Sequence, residues 1–100
     1  MATTINITEK IKNEQKFLEY GDKKYVVNAS KNAVTKAMAI FSSAGDDVVG
    51  SIDKVLHCLL GKAAKDFDGM DFEDYKTVFI AVMALATGRT YEETEASFRT

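Results

Sequence analysis

A mainly helical α+β domain is the fold this sequence predicts, and three observations predict it. A stretch of two-residue alternation, Phe17 to Val27, is broken at its centre by Gly21-Asp22. Behind it come roughly seventy residues of helical spacing. Those residues contain no proline and carry start and stop signals that divide them into three or four helices.

The first segment is the least decided. Ile5 and Ile7 alternate with polar neighbours, which permits a short strand over residues 3 to 8 and hence a third strand in the sheet. Residues 9 to 16 are polar enough to form a turn, a helical stub or a mobile arm. Gly21-Asp22 suits a two-residue primed turn, because glycine accepts a positive φ. That loop pairs Tyr20 with Lys23, Glu19 with Lys24 and Leu18 with Tyr25. Leu18, Tyr20, Tyr25 and Val27 then share one face, which must pack on something, since two strands alone are marginal.

Asn28 or Ser30 caps the first helix, whose apolar spacing runs Val34, Ala37, Met38, Phe41 and Ala44, with Gly45 as a left-handed stop. Asp46 or Asp47 starts the second. Its stripe is Val48, Ile52, Val55, Leu56, Leu59 and Ala63, fraying near Asp66 to Gly69. Gly50 and Gly61 fall together opposite that stripe, where glycine costs up to about 1 kcal/mol each. The acidic run Asp71-Phe72-Glu73-Asp74 favours a third helix start through the helix dipole. Tyr75, Val78, Phe79, Val82, Met83 and Ala86 form its inner stripe, ending at Gly88. Thr90-Tyr91-Glu92-Glu93 has capping-box spacing and opens a short last helix, with Tyr91 and Phe98 on one side.

One domain covers residues 1–100, with a hairpin region at 1–29 and a helical region at 30–100. Hydrophobic residues make up 46% and charged residues 28%, an ordinary globular balance. The 13 basic residues are scattered and the formal net charge is −2, which argues against a nucleic-acid surface. Cys58 is the sole cysteine, as expected of a chain in a reducing cytoplasm. The N-terminus has no signal-peptide pattern, and the longest apolar run, Val78 to Ala86, is too short for a bilayer span. Asn6-Ile7-Thr8 is a chance match to the glycosylation sequon.

No pattern of catalytic or cofactor chemistry emerges. With Gly69 at position 6 of a calcium loop, positions 1 and 12 fall on Ala64 and Tyr75, which supply no carboxylate. His57 and Cys58 are the lone histidine and cysteine and point about 100° apart on a helix, so they complete neither a metal site nor a nucleophilic pair. Gly61-Lys62 lacks the rest of a phosphate loop. Glu92, Glu93 and Glu95 fit a solvated face. The expectation is a non-enzyme with no cofactor and no metal.

The informative excess is apolar. Val78 to Ala86 is apolar all round, although one stripe suffices for a surface helix. Either this helix is central and wrapped by the others, or its outer face, Ile80, Ala81 and Ala84, binds a second copy or a client. Small residues at Ala81 and Ala84 permit close helix approach.

The order of the pieces resembles the small tail assembly chaperones of long-tailed bacteriophages and related prophage proteins. The resemblance lies in the hairpin Glu19-Tyr20-Gly21-Asp22-Lys23-Lys24-Tyr25-Val26-Val27, a helix from Ser30, and the segment Ser51-Ile52-Asp53-Lys54-Val55-Leu56 followed by Gly61-Lys62-Ala63-Ala64. The acidic turn before Phe72 and the closing helix complete it. The resemblance implies a chaperone that binds the tape measure protein, the tail tube protein or both in the host cytoplasm, acts as a homo-oligomer, and transfers no catalytic residue. Two rival functions stay open: a structural tail or head-completion protein retained in the virion, and a small regulatory adaptor that binds a host protein.

Overall fold

The computed structural model describes residues 2–11 and 14–97. Strands β1 (Lys16–Tyr20) and β2 (Lys23–Val27) form an antiparallel hairpin, followed by helices α1 (Lys31–Ser42), α2 (Val48–Leu60), α3 (Phe72–Thr87) and α4 (Tyr91–Ser97). The fold is mainly helical α+β. No helix among the described residues is long and apolar enough to cross a membrane.

The hairpin has the register expected from its turn, with Tyr20 opposite Lys23, Glu19 opposite Lys24 and Leu18 opposite Tyr25. Gly21 takes φ +64° at the turn. Tyr25 and Val27 are buried and Leu18 packs against the core, so the predicted inner face is the observed one. Tyr20, on the same face, stays largely exposed but lays its ring 5.9 Å from Phe67. Among the described residues the sheet has two strands. The expected strand over residues 3 to 8 is not formed; Thr8–Lys10 is a single 3₁₀ turn, and every described residue from 2 to 11 is exposed.

Ser30 caps α1 by accepting a hydrogen bond from the Ala33 amide, and Asn28 accepts one from Ser30. The buried face of α1 is Ala33 and Ala37, with Ile40 and Phe41 packed behind them. Met38 lies outside this face, 50% exposed. Two alanines let α1 approach α2 closely, and the wider Met38 points away. The helix ends at Ser42, where the Ser43 amide bonds back to Ala39, and Gly45 serves the following turn at φ +57° rather than the helix end itself.

Asp47 caps α2 by accepting from the Gly50 amide at 3.0 Å. A Cβ on Gly50 would lie 2.5 Å from that carboxylate, so glycine here makes room for the cap. Ile52, Val55, Leu56, Leu59 and Leu60 are buried, but Val48, the expected first residue of the stripe, is 46% exposed. The helix does not continue to Ala63. Gly61, at φ +65° and ψ −138°, stops it, and residues Gly61–Phe67 form a 3₁₀ segment that buries Ala64 and Phe67. Gly61 is therefore a terminator and not a glycine tolerated inside a helix.

α3 carries the expected inner stripe: Tyr75, Val78, Phe79, Val82 and Met83 are buried and Ala86 is partly so. Gly88 closes it at φ +73°, and the Arg89 amide reaches back to the Ala84 carbonyl. The capping box of α4 forms in both directions: the Glu93 amide donates to Thr90 Oγ1, and the Thr90 amide donates to Glu93 Oε1, each at 3.1 Å. These bonds to Thr90 hold the Glu93 carboxyl below its ordinary range. α4 folds back on α3 and buries Thr94. Phe98, the expected partner of Tyr91, lies outside the described residues.

Side-chain bonds knit these layers. Tyr75 Oη, on α3, donates to Asp53 Oδ1 on α2 at 2.7 Å, and Tyr25 Oη, on β2, donates to Asp66 Oδ2 at 2.9 Å. Burial first, and then the bonded aspartate, raises both phenol pKa values above the ordinary 10.0. A proton held more tightly in the folded state stabilises the fold fully below the unfolded value, and that contribution is lost as pH rises through the folded value. Stability is therefore expected to fall above about pH 10. In urea denaturation across that range, Tyr75→Phe should start less stable near neutral pH and lose less on going alkaline. Parallel profiles for the two proteins would show that the Tyr75 proton is not coupled to folding.

Candidate functional site

α3 is the central helix, in contact with α2, α4 and both strands. That placement decides the fate of its outer face. Ala84 is buried, only 5% exposed, on a helix that packs against α2, α4 and the hairpin. Ala81 is half-buried. Ile80 is also half-buried, and it lines a groove of about 320 Å³. The three residues named from the sequence thus do not form one surface. Ile80 alone reaches the groove.

The groove draws on all four helices. Phe41 comes from α1, Val48 and Ile52 from α2, Phe79 and Ile80 from α3, and Tyr91 from α4. The rings of Phe41 and Phe79 stack at 5.6 Å between centroids, and that pair forms the apolar wall. Glu73, Lys76 and Glu95 supply charge at the rim, with Lys76 Nζ 3.1 Å from Glu73 Oε1 and 5.5 Å over the Phe72 ring. Each helix enters for a local reason. The Asp47 cap starts α2 one residue before Val48, and the Thr90–Glu93 box starts α4 at Tyr91. Val49, beside Val48, is exposed as well. The result is an apolar trough with a charged edge, a shape that suits the apolar stripe of a helix or an extended apolar segment.

The polar residues weighed as chemistry take up structural posts. Asp66 and Asp53 accept from buried tyrosines. His57 Nδ1 lies 2.9 Å from the Asp53 carbonyl oxygen, within the same helix, and Cys58 Sγ donates to the Ala33 carbonyl across to α1 at 3.5 Å. Glu93 is half of the α4 cap. Among the described residues, no group of three or more histidine, cysteine, aspartate or glutamate side chains is placed to hold a metal ion. Sequence reasoning missed Phe41, Val48 and Tyr91 as neighbours of Ile80, since no local spacing joins residues from three helices. The one available signal was Val48-Val49, two valines at a helix start where a single inward position is needed. No family model, curated protein or solved structure matches the chain.

Proposed function

We propose that this protein is a non-enzymatic assembly chaperone for phage tails that keeps the tape measure protein, the tail tube protein or both soluble until assembly. The observation that carries the reading is the four-helix groove, with Val48 and Ile80 presenting apolar surface beside a charged rim. The resemblance of the hairpin and helix order to that family supplies the client. A client helix would lay its apolar stripe on Val48, Ile52 and Ile80, and basic residues flanking that stripe would meet Glu73 and Glu95. Covering such a helix lowers the free concentration of the aggregating species by mass action. A shallow trough gives moderate affinity, which a chaperone that must release its client requires.

Co-expression with the tape measure protein of the same genome tests this. The soluble fraction of the client should rise when this chain is present, and the two should co-purify. Val48→Glu places a charge in the contact at an already exposed position and should weaken binding by roughly tenfold or more. Unchanged solubility with both proteins well expressed would remove the reading. Recovery of this chain in purified virions would assign it instead to the structural proteins of the particle.

A further inference from the structure

We infer that the N-terminal arm of one copy adds as a third strand to the hairpin of a second copy, in a reciprocal exchange that makes a two-fold dimer. The inference stands on the arm and the hairpin, and is independent of the groove.

The segment Thr3-Thr4-Ile5-Asn6-Ile7-Thr8 is uncharged, alternates apolar with polar, and is built almost wholly of β-branched residues, the composition of a strand. Among the described residues it pairs with no strand, and the 3₁₀ turn in which the Ile7 carbonyl accepts the Lys10 and Ile11 amides must open where the arm adds as a strand. Ile5 is 77% exposed, and Ile7 and Ile11 are each more than half exposed. No described residue from 2 to 11 is buried. The molecule measures 59 × 35 × 25 Å, and its radius of gyration of 15.4 Å exceeds the roughly 13 Å of a compact chain this long.

The acceptor is equally incomplete. Among the described residues the sheet is β1 paired with β2, so each strand has one open edge. Among the described residues, no backbone hydrogen bond beyond their own ladder reaches residues 16–20 or 23–27. Phe17 and Val26 sit directly opposite each other on the hairpin's outer face, and both are exposed. A strand laid along the β1 edge can set an isoleucine of the same-side pair Ile5 and Ile7 beside Phe17, and one laid along the β2 edge can set it beside Val26. Such a strand also pairs the open backbone groups that make a lone edge prone to associate.

A second copy is the occupant that places both arms at once. Two arms and two hairpins pair in one closed symmetric contact, each arm taking one edge of the other copy's hairpin. The ten described arm residues reach at most about 36 Å, enough to cross from one body to another. Burying two arms, each against a hairpin, also doubles the contact that one arm makes, toward the roughly 1,000 Å² that a specific interface requires.

The test is the mass of the full-length chain by light scattering after size exclusion. Twice the 11.0 kDa chain mass is expected. The double substitution Ile5→Asp and Ile7→Asp should return the protein to a single chain mass with unchanged circular dichroism, since both positions are exposed. In a Cys58→Ser background, mixing a chain bearing Ile7→Cys with one bearing Phe17→Cys or Val26→Cys should yield a disulfide between copies on mild oxidation. A single-chain mass for the unaltered protein at every concentration overturns the inference. So does a dimer that survives the double aspartate variant, or one in which neither mixture cross-links.

Discussion

Phe67→Ala should cost about 3–5 kcal/mol of folding stability, the range for deleting a fully buried phenylalanine. Phe67 is 1% exposed and its ring lies 5.0 Å from Tyr25 and 5.9 Å from Tyr20. It is thus the piece of the helical body onto which the hairpin docks. A small domain has only about 5–15 kcal/mol in all, so the variant stands near the edge of unfolding. For a chain of this size each kcal/mol is worth roughly 4–8 °C, which puts the melting temperature at least about 12 °C lower. Phe72→Ala is the control. That ring is 42% exposed and touches the Lys76 ammonium, a contact worth about 0.5–1 kcal/mol at a surface. Chemical denaturation of the two variants should therefore separate them widely. Losses within 1 kcal/mol of each other would mean that Phe67 does not join the hairpin to the bundle.

The second large effect comes from a residue with no side chain. Gly61→Ala should cost about 2–3 kcal/mol, although a Cβ there meets nothing within 4 Å. The cost is backbone strain alone: φ +65° with ψ −138° is a conformation in which only glycine is at ease. Gly88 makes the comparison sharp, because its φ +73° and ψ +23° lie in the left-handed helical region. Alanine there should cost about 1–2 kcal/mol, and asparagine, which visits that region, less. Gly88→Asn should therefore recover much of the loss seen in Gly88→Ala, whereas Gly61→Asn should recover none. Measured unfolding free energies that rank the two sites alike would contradict the backbone account.

Gly61 also marks where the sequence could be read and where it could not. The hairpin register, the α3 stripe and the Thr90–Glu93 box were legible because each is a local rule with a local cause, and the same rules narrowed the α1 and α2 caps to two residues each, of which the fold uses Ser30 and Asp47. Helical spacing, by contrast, carries straight through Leu59, Ala63 and Asp66, so nothing in it announces a stop at Gly61. The 3₁₀ segment that follows buries Ala64 and Phe67 at a spacing of three, which a search for helical period passes over. The α1 face was legible at Ala37 and Phe41 and missed at one edge, where Met38 is exposed and the smaller Ala33 is buried. The alternation at Ile5 and Ile7 was visible, but among the described residues it pairs with no strand. In the groove, Ile80 stood out because its helix is apolar all round. Its neighbours from α1, α2 and α4 could be known only from the tertiary fold.

The doubly bonded cap of α4 has a kinetic consequence. The described helix is seven residues long, less than two full turns, so it has few internal hydrogen bonds with which to hold itself closed. Its attachment leans on the Thr90–Glu93 box, on the burial of Thr94 and on the exposed Arg89–Ser97 hydrogen bond. Such a unit opens on its own, well short of global unfolding. In native-state hydrogen exchange its amides should trade protons with solvent sooner than those of α2, and each opening carries Tyr91 and Glu95 away from the groove wall. The trough is then bounded on three sides by fixed helices and on the fourth by one that comes and goes.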